Sequence, residues 1–244
     1  MDPTSTFRAT YPTLSGTEPL WSASSTSRDP HGSSSTTWFT VSWMGCSQTT
    51  TNISRAATPC TESPLVNLLA DAQLDATVAQ GAQIAFVSSS TVRANLTYRS
   101  SMHEGDGVVT YKEAAAVQPD DDRLVTLTLT GGQIERLLEE QFVAGGGCVL
   151  LGVSNGFTYA YSTGASAGDR IDPANMALNG PPVDPMATYR VTVSASLARG
   201  RDGFTVLREG VDPVRGPSQL DALLAYLAGG PMGPPASNRV TVLP

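Results

Sequence analysis

The sequence predicts a mixed α/β fold, with β-sheets sandwiched by helices and a Ser/Thr-rich tail in front. Three observations carry this. A capped amphipathic segment, "TESPLVNLLADAQLDATVAQG", precedes an unbroken apolar run, Ile84 to Val87. A strand-like segment then runs through a Gly-Gly junction into a helix-like one, "RLVTLTLTGGQIERLLEEQF". Alternating segments, "GFTYAYS" and "YRVTVSASL", interleave with a further apolar helix, "PSQLDALLAYLAG". Helices and strands that alternate in this way build layered α and β structure.

Each element has a local reason. Thr61 or Ser63 can N-cap the first helix, Pro64 suits its first turn, and Gly81 lies just past its end. Leu65, Leu68, Leu69, Ala72 and Ala76 follow the spacing of one buried helical face. The strand from Gln83 to Val87 empties into Ser88, Ser89, Ser90 and Thr91. A Gly-rich turn, "EGDG", precedes a short helix, "TYKEAAAVQ", and "RVTVLP" closes the chain as a strand.

Met1 to Asn52 is rich in Ser, Thr, Pro and Gly. Such a stretch buries too little apolar surface to offset its ordering entropy, so residues 1–52 are expected to be mostly disordered. "TWFTVSWMG", Thr37 to Gly45, is the exception and could form a strand. The globular part is expected over residues 53–244.

Composition excludes several functions. The chain has 244 residues and a formal net charge of −7, with no basic stripe, which argues against a nucleic-acid surface. No apolar run reaches the ~20 residues of a membrane span. The N-terminus lacks the basic and apolar regions of a signal peptide, so taken literally the chain stays in the cytoplasm. Cys46, Cys60 and Cys148 are too few and scattered for a disulfide framework or a zinc site, and are read as free thiols. One pair remains open to an oxidising compartment.

Seven collinear segments carry a resemblance: "ESPLVNLLADAQLDAT", "AQIAFVSSSTVRANL", "GVVTYKEAAAVQP", "LVTLTLTGGQIERLLEEQF", "GFTYAYS", "YRVTVSASLARGRDGFTVL" and "LDALLAYL". Together they resemble the C-terminal domain of the 5′-nucleotidase family, which includes UDP-sugar hydrolases and 2′,3′-cyclic phosphodiesterases. The resemblance implies the substrate-binding half of a hydrolase of nucleotide catabolism. In that family a separate metallophosphatase half holds two divalent metal ions. His31 and His103 stand in no metallophosphatase motif, and no cofactor or catalytic residue is expected on this chain. The acidic run "PDDDR", Pro119 to Arg123, reads as a solvated turn before it reads as a cation site. Autonomous hydrolysis is therefore not expected, and the resemblance implies a separate metallophosphatase chain as partner.

The same resemblance assigns candidate binding residues. Family members read Asn-Ser-Gly-Gly-Ile-Arg where this chain has Ser88 to Arg93. Arg93 takes the place of the phosphate-contacting arginine and Ser88 that of the base-contacting asparagine. The family's Gly-Gly-Asp-Gly-Phe loop reads Gly200-Arg201-Asp202-Gly203-Phe204, which puts Asp202 where a carboxylate meets ribose hydroxyls. Gly203 and Phe204 complete the motif. Two family rings that clamp the base are replaced, by Asp120 and Ser196. Stacking on a ring contributes about 1–3 kcal/mol per base. The expected ligand is a nucleotide or nucleoside. Two other readings stay open: a non-enzymatic interaction module, and a fragment of a longer two-domain nucleotidase.

Overall fold

A computed structural model describes residues 22–28, 34–40, 47–55, 60–100, 105–120, 122–143 and 147–244. They fall into two units, Met1–Gly45 and Cys46–Pro244. In the first, β1 (Ser22–Arg28) and β2 (Ser34–Thr40) form an antiparallel hairpin, Ser22 opposite Thr40 and Arg28 opposite Ser34. These strands lie in the region read as mostly disordered, and β2 overlaps the Thr37–Gly45 segment named as its strand-like exception. The rest of that expectation lies outside the described residues, as do His31, His103 and Cys46.

The boundary of the larger unit also moves. Gln48 bridges to Val108, Thr49 to Met232 and Ile53 to Leu96. Thr49 and Ile53 are buried, so residues before position 53 already belong to the core.

The N-terminal helix α1 spans Pro64–Asp75, with the Ser63 hydroxyl accepting from the Val66 amide. A short 3-10 turn follows and ends at Gly81, which adopts φ +80°. β3 (Ile84–Ser88) is buried along its whole length. Helix α2 (Tyr111–Val117) opens with a capping box in which Thr110 and Glu113 exchange hydrogen bonds. β4 (Arg123–Thr130) leads into α3 (Gly131–Glu139) through a second capping box, Thr130 with Gln133. The chain continues through β5 (Phe142–Val143), β6 (Gly147–Cys148), β7 (Leu151–Val153), β8 (Phe157–Ser162) and β9 (Ala177–Leu178). It ends with β10 (Thr188–Ser194), the one-turn helix α4 (Ala195–Ala198), β11 (Val211–Ser218), α5 (Gln219–Leu227) and β12 (Val240–Leu243).

The main sheet has the order β11-β4-β10-β3-β7, and a smaller one β12-β8-β9. β10 runs parallel to β3 and antiparallel to β4. Both faces of the main sheet are covered, which is why β3 reads as a continuous apolar run. Ile84 and Phe86 join α3 residues Ile134, Leu137 and Leu138, together with Phe157 and Tyr159 of the smaller sheet. Val87 joins α1, α2 and α5 through Leu65, Leu69, Ala114 and Leu223. Phe86 and Phe157 meet edge to face, 5.5 Å between centroids, a favoured aromatic geometry.

One feature corrects the sequence reading. Cys60 and Cys148 are paired as a disulfide, with Cα atoms 5.5 Å apart, a separation that a disulfide spans. Their 88-residue separation hides the contact, so the free-thiol reading fails for these two. β11 carries Pro213 and Pro217. It is an edge strand, where a missing amide costs no ladder bond.

Candidate functional site

Sheet topology assembles the candidate site. Because β3 and β10 are parallel, their C-terminal ends open on one edge of the sheet; β4 is antiparallel, so its first residues lie there too. Ser88 ends β3, Ser194 ends β10, and Leu124 lies opposite Ser194. Ligands of open α/β sheets bind beyond such carboxyl ends.

After β3 the chain makes a single 3-10 turn, Ser89–Thr91. The Thr91 hydroxyl donates to the Ser88 carbonyl at 2.8 Å, and the Ser89 amide to the Leu150 carbonyl at 3.1 Å. This closed turn needs no positive φ, so β-branched Thr91 fits where the related motif has glycine. Beyond it, the Arg93 amide donates to the Val117 carbonyl at 3.0 Å, seating Arg93 at the end of α2. Arg93 is exposed, and its guanidinium has no partner among the described residues.

The opposite wall is the loop after α4. Gly200 adopts φ +87° and passes so close to Arg208 that a Cβ would come within 2.4 Å of Nε. Asp202 itself sits in the left-handed region, at φ 59° and ψ 13°, a conformation that an aspartate tolerates better than most residues. Its carboxylate reaches across to the β3 turn. Ser88 Oγ donates to Oδ2 at 2.6 Å and Ser90 Oγ donates to the same oxygen at 2.5 Å. Oδ1 takes no hydrogen bond among the described residues. Gly203 follows at φ +92°, with open space where its Cβ would be.

The ring closes through the segment after α2. Asp120 Oδ2 accepts from Arg201 Nη1 at 2.7 Å. Both side chains are about a third exposed (34% and 39%), so this ion pair contributes under about 1 kcal/mol and can part. Two residues on, Asp122 Oδ2 accepts from the Ser196 amide at 2.5 Å, and its carbonyl accepts from the Gln219 amide. Asp122 thus pins the start of β4 to the start of α4.

The structure therefore brings Ser88, Asp202 and Gly203 to one rim, with Arg93 five residues past Ser88. Phe204 is corrected: its ring is fully buried among Leu197, Val206 and Leu207 in the core, so it anchors the loop and offers no face to a ligand. Among the described residues no group of three or more His, Cys, Asp or Glu side chains gathers that could hold a metal ion.

Residues 43–209 match the family model of the 5′-nucleotidase C-terminal domain. The chain belongs to the 5′-nucleotidase C-terminal domain family. Among curated relatives, a 5′-nucleotidase-related protein of Glossina morsitans morsitans is 28% identical over 181 residues, covering 66% of this chain and 30% of its own. A cell wall protein of Listeria monocytogenes is 27% identical over 162 residues, covering 65% of this chain and 20% of its own. Among solved structures, a 5′-nucleotidase precursor from Thermus thermophilus superposes with a TM-score of 0.70 at 24% identity, covering 92% of this chain and 50% of that one. The chain thus spans about half the length of that structure and less than a third of the curated relatives.

Two features escaped sequence reasoning. Asp120 and Arg201, 81 residues apart, form the ion pair across the site. Arg239, buried, makes a two-pronged pair with Asp71, both contacts 2.7 Å, and donates to the Val153 carbonyl at 2.7 Å. The one local hint is a carboxylate in the otherwise apolar run "LLADAQL" of α1.

Proposed function

We propose that this chain is the ligand-binding portion of a nucleotidase-type phosphoester hydrolase, taking a nucleotide or nucleoside at the rim formed by Ser88, Arg93, Asp202 and Gly203. One observation carries the reading: the Asp202 carboxylate is held by two hydroxyls on one oxygen and leaves the other open, while Arg93, five residues past Ser88, is exposed with no guanidinium partner among the described residues. A carboxylate aimed this way accepts from sugar hydroxyls, and a free arginine fork suits phosphate. The reading places no metal on this chain. Hydrolysis would come from a metallophosphatase unit holding two divalent ions, covalently joined or separate. The Cys60–Cys148 disulfide supports work in an oxidising compartment. Among the described residues no helix is long and apolar enough to cross a membrane.

A charged hydrogen bond to phosphate contributes about 1.5–3 kcal/mol, so on its own it supports only weak binding, with a Kd above about 1 mM. Calorimetric titration with AMP tests this. Arg93→Ala is expected to weaken binding by about tenfold or more. Equal affinity in wild type and variant would remove Arg93 from the site. The Asp120–Arg201 pair favours a second reading, an interaction module without nucleotide chemistry. Heat with a protein partner, and none with AMP, would support it.

A further inference from the structure

We propose that Asn52 and Asn95 are a pair of N-glycosylation sites, each taking an oligosaccharide on Nδ2. The chain has seven asparagines, and two of them stand in an Asn-x-Ser/Thr acceptor triplet: Asn52-Ile53-Ser54 and Asn95-Leu96-Thr97. The inference is independent of the ligand reading above.

The fold sets the two triplets against each other. Ile53 and Leu96 form an antiparallel bridge, with each amide donating to the other's carbonyl at 2.9 and 3.0 Å. Both middle side chains are fully buried. Extended backbone turns the flanking residues the other way, and Asn52, Ser54, Asn95 and Thr97 are all exposed. The antiparallel register places Asn52 across from Thr97 and Asn95 across from Ser54.

Each asparagine is bound through its oxygen. Asn52 Oδ1 accepts from the Tyr98 amide at 2.7 Å, and Asn95 Oδ1 accepts from the Arg55 amide at 3.0 Å. These donors fix the carboxamide orientation, and neither Nδ2 has a partner among the described residues. An acceptor role accounts for an oxygen at 52 and 95, which aspartate would supply equally. It does not account for a hydroxyl two residues on. The Ser54 and Thr97 hydroxyls have no partner among the described residues, and a hydroxyl at that position is what the acceptor triplet requires.

The modification is compatible with this geometry. The co-reactant is a lipid-pyrophosphate-linked oligosaccharide, delivered by its transferase. Nδ2 bonds to C1 of the first sugar, the C1–oxygen bond breaks, the lipid pyrophosphate leaves with that electron pair, and one amide proton passes to a base of the transferase. Oδ1 remains an acceptor afterwards, so both backbone hydrogen bonds survive. The Cys60–Cys148 disulfide supports the same route, since disulfides and N-glycans are both features of secreted chains.

The test is peptide mass spectrometry of the full chain, purified from the cells that produce it and treated with peptide-N-glycosidase in heavy-oxygen water. That enzyme releases the glycan and leaves a labelled aspartate. The expected result is label at positions 52 and 95 and at no other asparagine. Ser54→Ala and Thr97→Ala, produced in the same cells, keep both asparagines and their oxygen hydrogen bonds. Each is expected to lose the label at its own triplet and keep it at the other. Unlabelled asparagine at both positions of the wild-type chain would overturn the proposal, and label at only one would overturn the pairing. Label retained at both positions in both variants would overturn the role of the triplets.

Discussion

Replacing Arg239 by alanine tests how the two ends of the chain are joined. The Arg239 and Asp71 side chains are 8% and 10% exposed. The variant removes both 2.7 Å contacts to Asp71 and the 2.7 Å bond to the Val153 carbonyl. It leaves the Asp71 carboxylate with the Asn155 amide at 2.6 Å as its remaining partner. Removing one member of a buried pair costs about 3–5 kcal/mol, since the other charge stays desolvated. Whole domains are stable by about 5–15 kcal/mol, so the loss is a large fraction of the total. With a urea slope near 2 kcal/mol/M, the midpoint should fall by about 2 M. A double-mutant cycle with Asp71→Ala should show strong non-additivity, because the second removal costs little once the first is made. A midpoint shift below about 0.5 M, or additive single changes, would refute the claim that this pair ties β12 to α1.

Three further predictions follow from the same geometry. Reduction, or Cys60→Ser, should cost about 2–4 kcal/mol, because the disulfide closes a loop of 88 residues in the unfolded chain; an unchanged Tm in reductant would contradict the pairing. Gly131→Ala should cost about 1–3 kcal/mol, since its Cβ would lie 2.2 Å from the Asp184 carbonyl oxygen and 2.9 Å from a Val183 methyl; wild-type stability would mean the β9–β10 connection is looser than described. Tyr159 is buried, and desolvation raises its pKa above the usual tyrosine value despite its bond to Gln141. The unfolded chain therefore ionises first, and stability should fall as pH rises through about 10. Phe in place of Tyr159 should flatten that decline in urea midpoints measured from pH 9 to 11.

Much of the fold was legible because its causes are local. Ser63 and Pro64 start α1, and Thr130 with Gln133 starts α3, each within four residues. β3 was legible as an apolar run. The edge strand β11 was not, because two prolines mark a break unless the sheet edge is known. Motif position singled out Ser88 and Asp202, and the fold joins them by a hydrogen bond across 114 residues of sequence. Phe204 was misjudged because a motif position does not report whether a side chain points into the core. The Asp120–Arg201 pair, the Arg239–Asp71 pair and the disulfide join residues 81, 168 and 88 positions apart. No local periodicity encodes such contacts; they follow from sheet order and loop path.

The central claim is that ligand meets the chain where β3, β4 and β10 share an edge. Amide chemical-shift mapping during titration with AMP tests it most directly. The account predicts shifts at Ser88 to Arg93, at Asp120 and from Gly200 to Gly203, largely lost in Arg93→Ala. Shifts confined instead to the cleft of about 580 Å³ between α1, α5 and the 232–239 segment, lined by Asp75, Asn155, Tyr226 and Met232, would contradict it.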